Sequence, residues 1–280
     1  MFTIIIPTFN HEETVKYAIQ SVLEQSVQTF EIFVVGDGAS PRTKEIVLAL
    51  AMKDPRIRYF DNEKGEGNGE LHRATALTFA KGEYIAYLGD DDLWLPDHLA
   101  TVLTQLDKYD FVHTAHASIP QNGEWHVYAG DLSQPDVQKL MCTAPYNFFG
   151  PSAVAHRLDA YLALPFGWRV KPQKLWSDLH MWRQWLNQDG INFHSINKVT
   201  ALHLGAKTRK NMSSTQRCEE MQYWLGKIHA GNFNEFVTDK MLRSWQQQLS
   251  QSVLTRYRVK KFKAMIQKFN PYAGKKKSAI

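Results

Sequence analysis

Apolar positions along this chain alternate between two rhythms. FTIIIPTF is a short β-branched run, and HEETVKYAIQSVLEQS after it sets Val15, Ala18, Ile19, Val22 and Leu23 on one helical stripe. FEIFVVGDGAS reads as a second buried strand ending in glycine and aspartate. PRTKEIVLALAMK opens with proline, which suits a first helical turn, and carries Ile46, Val47, Leu50 and Ala51. IRYFDN is a third strand, ELHRATALTFAKG a helix stopped by Gly82, and EYIAYLG a fourth strand. LPDHLATVLTQLDKY is another helix and DFVHTAHASI another strand. This order, with its short connections, predicts an α/β fold: a mostly parallel sheet covered by helices on both faces. Such sheets take ligands at the carboxyl ends of their strands. Asp37 and the run Asp90, Asp91, Asp92 stand just past strand ends, so both are directed to one rim.

Beyond about residue 120 the rhythm loosens. PQNGEW reads as a hairpin turn, and NFFGPSAVAHRLDAYLAL mixes a loop, a short strand and a helix. SDLHMWRQWLNQDG is a helix carrying Leu179, Met181, Trp182, Trp185 and Leu186; NFHSINKVTALHLG is a late strand. From about Ser213 the pattern is helical. There is no internal repeat and no long linker, so the expected division is one domain over 1–212 and a helical C-terminal extension over 213–280.

Composition sharpens this picture. A 280-residue chain that is 44% hydrophobic can bury a substantial core, yet no run of about 18 apolar residues suggests a membrane span. MFTIIIPTFN lacks a basic leader and a cleavage site and reads as the first core strand. Cys142 and Cys218 alone offer no disulfide framework, which fits a reducing cytoplasm. The net charge of +5 is unevenly spread, because Gln251 to Ile280 holds nine Lys/Arg and no Asp/Glu. The remaining residues have 24 basic against 28 acidic side chains, which argues against a nucleic-acid groove across the fold. In the tail, Leu254, Tyr257, Phe262, Met265, Ile266 and Phe269 share one side, with Arg256, Lys260, Lys263 and Lys268 over much of the rest. That pattern fits an interfacial helix on an anionic membrane, where each basic residue contributes about 1 kcal/mol, and equally a surface helix packed on the domain.

The candidate chemistry centres on GEYIAYLGDDDLWLPDHL, where three adjacent carboxylates repel one another at a strand end. A divalent cation such as Mg²⁺ or Mn²⁺, which prefers hard oxygen ligands, would cancel that repulsion. A solvated acidic loop, or Asp92 capping a helix that begins near Pro96, is the other reading, and the run alone leaves both open.

Taken together, IIIPTFNHEETVKYAIQSVLEQS, FEIFVVGDGAS, HRATALTFAKGEYIAYLGDDDLWLP and SDLHMWRQWL resemble the family-2 inverting glycosyltransferases of the GT-A fold, over roughly residues 1–205. The resemblance implies a Rossmann-like mixed sheet, with 1–212 as the catalytic domain. It implies that Pro7 and Thr8 lie against the nucleotide base, that Asp37 contacts the base, and that Arg73 lies near the nucleotide. Asp90 and Asp91 match the middle and last positions of a DXD-type motif: Asp90 as a ribose or metal-shell contact, Asp91 as the leading metal ligand. Asp92 and His203 complete the expected metal set, and Asp178 matches the catalytic base. Gly36, Gly89 and Ser177 stand where the family pattern has acidic residues. The implied cofactor is Mn²⁺ or Mg²⁺, the donor a nucleotide-sugar (a UDP-sugar by default), and the acceptor a glycan or lipid-linked sugar of bacterial-type surface polysaccharide synthesis. The expected location is cytoplasmic, with the tail resting on the membrane.

A nucleoside diphosphate leaves as a multiply charged anion, so a metal can take the place of an acid, and one carboxylate base suffices for the acceptor. Asp178 opens a predicted helix, whose N-terminus is expected to keep its pKa low. His203 also reads as an ordinary hydrogen-bonded residue, and Arg209 with Lys210 as a solvated charge run rather than a lid. KGEGNGE reads as a flexible turn rather than a phosphate cradle. Trp168, Trp176, Trp182 and Trp185 crowd around Asp178, the last two with core spacing; Phe148 to Val154 is a candidate acceptor wall. Two other functions are weighed. A nucleotidyltransferase would show a glycine-rich basic loop after the first strand, which IPTFNHEETV lacks; a non-catalytic nucleotide-sugar-binding module would tolerate Gly36, Gly89 and Ser177.

Overall fold

The computed structural model describes residues 1–11, 13–121, 125–128, 130–231 and 233–269. Within these, the first half follows the sequence rhythm closely. Strands β1 (Phe2–Thr8), β2 (Phe30–Gly36), β3 (Ile57–Phe60) and β4 (Tyr84–Tyr87) alternate with helices α1 (Val15–Leu23), α2 (Pro41–Ala51) and α3 (Glu70–Leu77). β1 pairs in parallel with both β2 and β4, and β2 with β3, so these four strands end on one rim. Along β1 the side chains alternate between faces. Ile4 and Ile6 enter the core that α1 and α2 cover, while Ile5 enters the opposite core with Tyr87 and Trp182. Both faces are therefore buried, which is why these strands read as continuous apolar runs.

The second half is mixed. β5 (Asp92–Trp94), α4 (His98–Leu106), β6 (Phe111–Ser118), β7 (His126–Tyr128) and α5 (Pro135–Thr143) lead to β8 (Val154–Arg157), α6 (Leu158–Leu162), α7 (Ser177–Leu186) and β9 (Phe193–His203). Among the described residues the strands form one sheet in the order β3-β2-β1-β4-β8-β6-β9-β5, with β7 on β6. β8 runs antiparallel to β4 and β6, and β5 antiparallel to β9, while β6 and β9 are parallel. β5 departs from the sequence reading. Asp92 opens this short strand and pairs with His203, instead of capping the next helix. α4 begins at His98, and Asp97 at its cap position makes no side-chain capping bond.

Helices α8 (Ser214–His229) and α9 (Phe233–Phe269) follow. α8 opens with a capping box between Ser213 and Gln216. Met221, Leu225 and Ile228 of α8, with Phe233 and Val237 of α9, share a core with Leu93, Leu95, Ala115 and Leu202 of the sheet. Each such fully buried side chain contributes about 1.5–3 kcal/mol, so α8 is fixed to the strands that carry the acidic run. The predicted hairpin at 120–125 lies partly outside the described residues, as do residues 270–280 of the tail and the side chains of Phe262, Lys263, Met265, Ile266, Lys268 and Phe269.

Candidate active site

The acidic run turns between β4 and β5, and each carboxylate meets its own cation. His11 Nδ1 donates to Asp90 Oδ1 at 2.7 Å, Arg217 Nη2 to Asp91 Oδ2 at 2.7 Å, and His203 Nδ1 to Asp92 Oδ1 at 2.9 Å. The three partners come from the loop after β1, from α8 and from the end of β9, so the repulsion is relieved by three distant segments. Asp92 also accepts from Ser152 Oγ at 2.5 Å and from the Leu204 amide at 3.1 Å.

The charges differ accordingly. Burial pushes Asp92 upward, but the His203 charge and these hydrogen bonds outweigh it and hold the carboxyl below its ordinary range. The charge of Asp92 in turn raises His203 to about 9, against its own burial. Asp91 goes the other way, pushed up by burial and by the neighbouring Asp92 and Asp90 charges. Burial pulls His11 down, but the hydrogen bond and charge of Asp90 win and raise it.

Among the described residues, the side chains whose ligand atoms converge within 4.8 Å are His11, Asp90 and Asp91. Asp90 Oδ2 is buried with no hydrogen-bond partner, the vacant acceptor that a cation would fill. Two carboxylates suit Mn²⁺ or Mg²⁺, and His11 Nδ1 would have to release the proton it gives Asp90 before joining them. Of the expected ligands, Asp91 belongs to this group, whereas Asp92 and His203 pair with each other outside it. The difference arises because β5 pairing sets Asp92 against His203 of β9.

Asp178 lies in the first turn of α7, where Asn147 Nδ2 donates to Oδ2 and the Leu179 amide to Oδ1, both at 2.8 Å. The expectation of a low pKa is overturned: burial raises it, and the two hydrogen bonds with Arg73's charge offset that only in part. Desolvation by the surrounding walls outweighs the helix terminus, a change that makes the group a better proton acceptor.

A cavity of about 320 Å³ is lined by Pro7, Arg73, Asp91, Asp92, Asp178 and His203, among others. It thus joins groups up to 196 residues apart (Pro7 to His203). Thr8, Asp37 and Asp90 stand off its wall. Thr8 Oγ1 is buried without a partner, and its carbonyl accepts from the Asp37 amide at 3.0 Å. Asp37 is gripped by Lys64 Nζ and the Gly65 amide, both at 2.8 Å. KGEGNGE is therefore a fastened loop rather than a free turn, and its Asn68 reaches the cavity.

Arg73 is clamped beside Asp178. It donates to the Asn68 carbonyl at 3.0 Å and to Ser177 Oγ at 3.3 Å, and its guanidinium lies 4.3 Å from the Trp168 ring centroid. Ser177 Oγ donates to Glu70, a fully buried carboxylate from α3. An acid thus meets Ser177, the residue that precedes Asp178, through its side chain. Gly36 and Gly89 have steric reasons. A Cβ on Gly36 would meet the Tyr59 hydroxyl at 2.7 Å, and one on Gly89 would come within 3.0 Å of Asp92 Oδ2.

Trp168, Trp182 and Trp185 are buried, while Trp176 is 45% exposed at the mouth. Gly150, Pro151 and Ser152, within the segment Phe148 to Val154, line the cavity. Arg209 departs from the solvated reading. It is 3% exposed, donating to Glu220 at 2.5 and 2.6 Å and to the Ile119 carbonyl at 2.6 Å. Sequence reasoning missed His11, Glu70, Asn147 and Arg217. His11 had one usable signal, its position directly after the first strand; Arg217, 126 residues from Asp91, had none.

Residues 3–153 match the family model for glycosyl transferase family 2. Over 194 residues the chain is 29% identical to the UDP-Glc:alpha-D-GlcNAc-diphosphoundecaprenol beta-1,3-glucosyltransferase WfgD of Escherichia coli, covering 69% of this chain and 72% of that one. It spans about a quarter (24%, 21% and 24%) of three longer curated relatives. In structure it is similar to S. aureus TarS 1–349 in complex with UDP-GlcNAc, with a TM-score of 0.55 and 20% identity over 73% of this chain and 58% of that one. It is also similar to the mannosyltransferase PcManGT from Pyrobaculum calidifontis in complex with GDP-Man and Mn²⁺, with a TM-score of 0.51 and 16% identity over 97% and 81%. At these identities the structural likeness carries the fold, a mixed α/β sheet flanked by helices with helices at the C-terminus.

Proposed function

The chain belongs to glycosyl transferase family 2, and on that premise we propose that it moves a sugar, with inversion, from a nucleoside-diphosphate donor to a hydroxyl of a lipid-linked acceptor. A UDP-sugar is the default donor. The observation that carries the reading is one cavity lined by both Asp178 and the acidic run. A base opposite a diphosphate subsite is what a one-step displacement needs.

In this reading the acceptor oxygen attacks the anomeric carbon, and its proton passes to Asp178. The bond from that carbon to the diphosphate oxygen breaks, and the electron pair leaves with the nucleoside diphosphate. Asp91, with Asp90 and His11, would hold Mn²⁺ or Mg²⁺, which would supply positive charge near the departing diphosphate. Asp92 and His203 brace the turn behind Asp91. Arg73 sits beside the donor sugar and diphosphate, with Glu70 and Ser177 holding its orientation. Pro7, Thr8 and Asp37 form the nucleotide side.

The Escherichia coli relative is named for a diphosphoundecaprenol-linked acceptor, which favours the same acceptor class here and a role in surface polysaccharide synthesis. Residues 1–212 would then form the catalytic domain and 213–280 the extension. No helix among the described residues is long and apolar enough to cross a membrane. Leu249, Val253 and Tyr257 of α9 are each more than 60% exposed, which supports a role for the basic tail in resting on the anionic membrane that holds such acceptors.

The test is product analysis with a panel of nucleotide-sugars, Mn²⁺ and polyprenyl-diphosphate sugars. A released nucleoside diphosphate with an inverted product is expected. Asp178→Asn should lower kcat about 10²–10⁴-fold with little change in donor KM. Release of pyrophosphate, or full turnover by Asp178→Asn, would refute the reading.

A further inference from the structure

The cavity that holds Asp178 opens into a wider groove of about 870 Å³. Asp91 and Asp178 are the only carboxylates among the described residues that line it, and both belong to the inner cavity as well. Outside that shared part the groove carries Lys171, Lys174 and Lys207, with Tyr128 and Trp176. The lysines stand on two walls. Lys171 and Lys174 belong to the loop that delivers Asp178, and Lys207 to the segment just after His203.

Several other cations near the site face acids. His11, His203 and Arg217 face the acidic run, Lys64 faces Asp37, and Arg209 faces Glu220. His116 also lines the groove, and burial lowers its pKa to about 3, so it adds no charge there. Lys171, Lys174 and Lys207 make no ion pair or hydrogen bond among the described residues. Lys174 moreover holds a left-handed backbone, φ 68°, which costs an ordinary residue energy and is the only such non-glycine among the described residues.

We propose that Lys171, Lys174 and Lys207 bind the diphosphate of a lipid-linked sugar acceptor, an inference that rests on the acceptor class proposed above. The direction follows from the groove. The accepting hydroxyl must reach Asp178 from the side away from the donor, so the rest of the acceptor extends outward. The first charged group met along such a molecule is its diphosphate, about one sugar ring from the hydroxyl. Trp176, 45% exposed, and Tyr128, 39% exposed, give that ring apolar faces to stack on. Lysine ammonium groups are suited to a flexible diphosphate because they act as mobile point charges.

The experiment compares two acceptors of equal chain length: N-acetylglucosaminyl-diphosphofarnesol and the uncharged farnesyl N-acetylglucosaminide. The native protein should prefer the first. The Lys171→Ala/Lys174→Ala/Lys207→Ala variant should raise its KM for the diphosphate acceptor about tenfold or more, removing that preference. The corresponding triple Arg variant should restore most of it. An Ala variant that keeps the full preference would overturn the inference and leave the acceptor class standing. Native protein that uses the uncharged glycoside alone would overturn the acceptor class and the inference together.

Discussion

Arg217→Met isolates the charge logic of the site. Arg217 and Asp91 meet at 2.7 Å with side chains 12% and 11% exposed, and Asp91 has Asp90 and Asp92 beside it. Methionine keeps the aliphatic packing of the stem and removes the charge. Breaking a buried pair by deleting one partner costs about 3–5 kcal/mol, because the surviving charge is left uncompensated. The lower end applies here: both groups retain some water contact, and Arg217 reaches Asp91 through one nitrogen while its Nε has no partner. About 3 kcal/mol corresponds to a fall of about 6–12 °C in Tm for a chain near this size. The assay is thermal melting in EDTA at pH 8. The deficit should shrink at pH 5, because the Asp91 pKa is already raised and protonation removes the unpaired charge. Mn²⁺ should restore much of it, since a ligand at a hundredfold excess over its Kd contributes about 2.7 kcal/mol. A variant that melts within about 2 °C of the native protein in EDTA at pH 8 would refute the claim that Arg217 neutralises Asp91.

Other expectations follow from the same geometry. The acidic limb of kcat against pH should lie above 3.8, the ordinary aspartate value, because burial raises Asp178 and the base must be ionised to act. Asn147→Ala deletes a hydrogen bond that favours the carboxylate, so that limb should move to higher pH; a limb that stays put or moves down would count against Asp178 as the base. Gly36→Ala should destabilise the fold by about 1–3 kcal/mol through its collision with the Tyr59 hydroxyl, and Tyr59→Phe should recover part of that in urea melts. Charge reversal of Arg256, Arg258, Lys260 and Lys261 should abolish co-sedimentation of the full chain with anionic vesicles, at unchanged Tm; retention on the vesicles would sink the membrane role of the tail.

The sequence alone determined a great deal of the first half. Strands buried on both faces show as unbroken apolar runs, and parallel pairing brings successive strand ends to one rim. That rule directs Asp37 and Asp91 to the rim, while Pro7, which lines the cavity, entered through the family resemblance. The resemblance implied Asp178, which lines the cavity, and helical spacing marked Trp182 and Trp185 as core. Only the tertiary structure decided what each acid faces. A carboxylate's charge state depends on the nearest cation and on access to water, and neither has a local signature. His203 reaches Asp92 because β5 pairs antiparallel with β9, a short strand no pattern announced. Arg217 reaches Asp91 because α8 shares a core with β5 and β9. The raised pKa of Asp178 likewise comes from walls contributed by other segments, which outweigh the helix terminus that the sequence made visible. Periodicity reports which face of an element is buried; the pairing of charges is set by contacts between elements, and those exist only once the chain has closed.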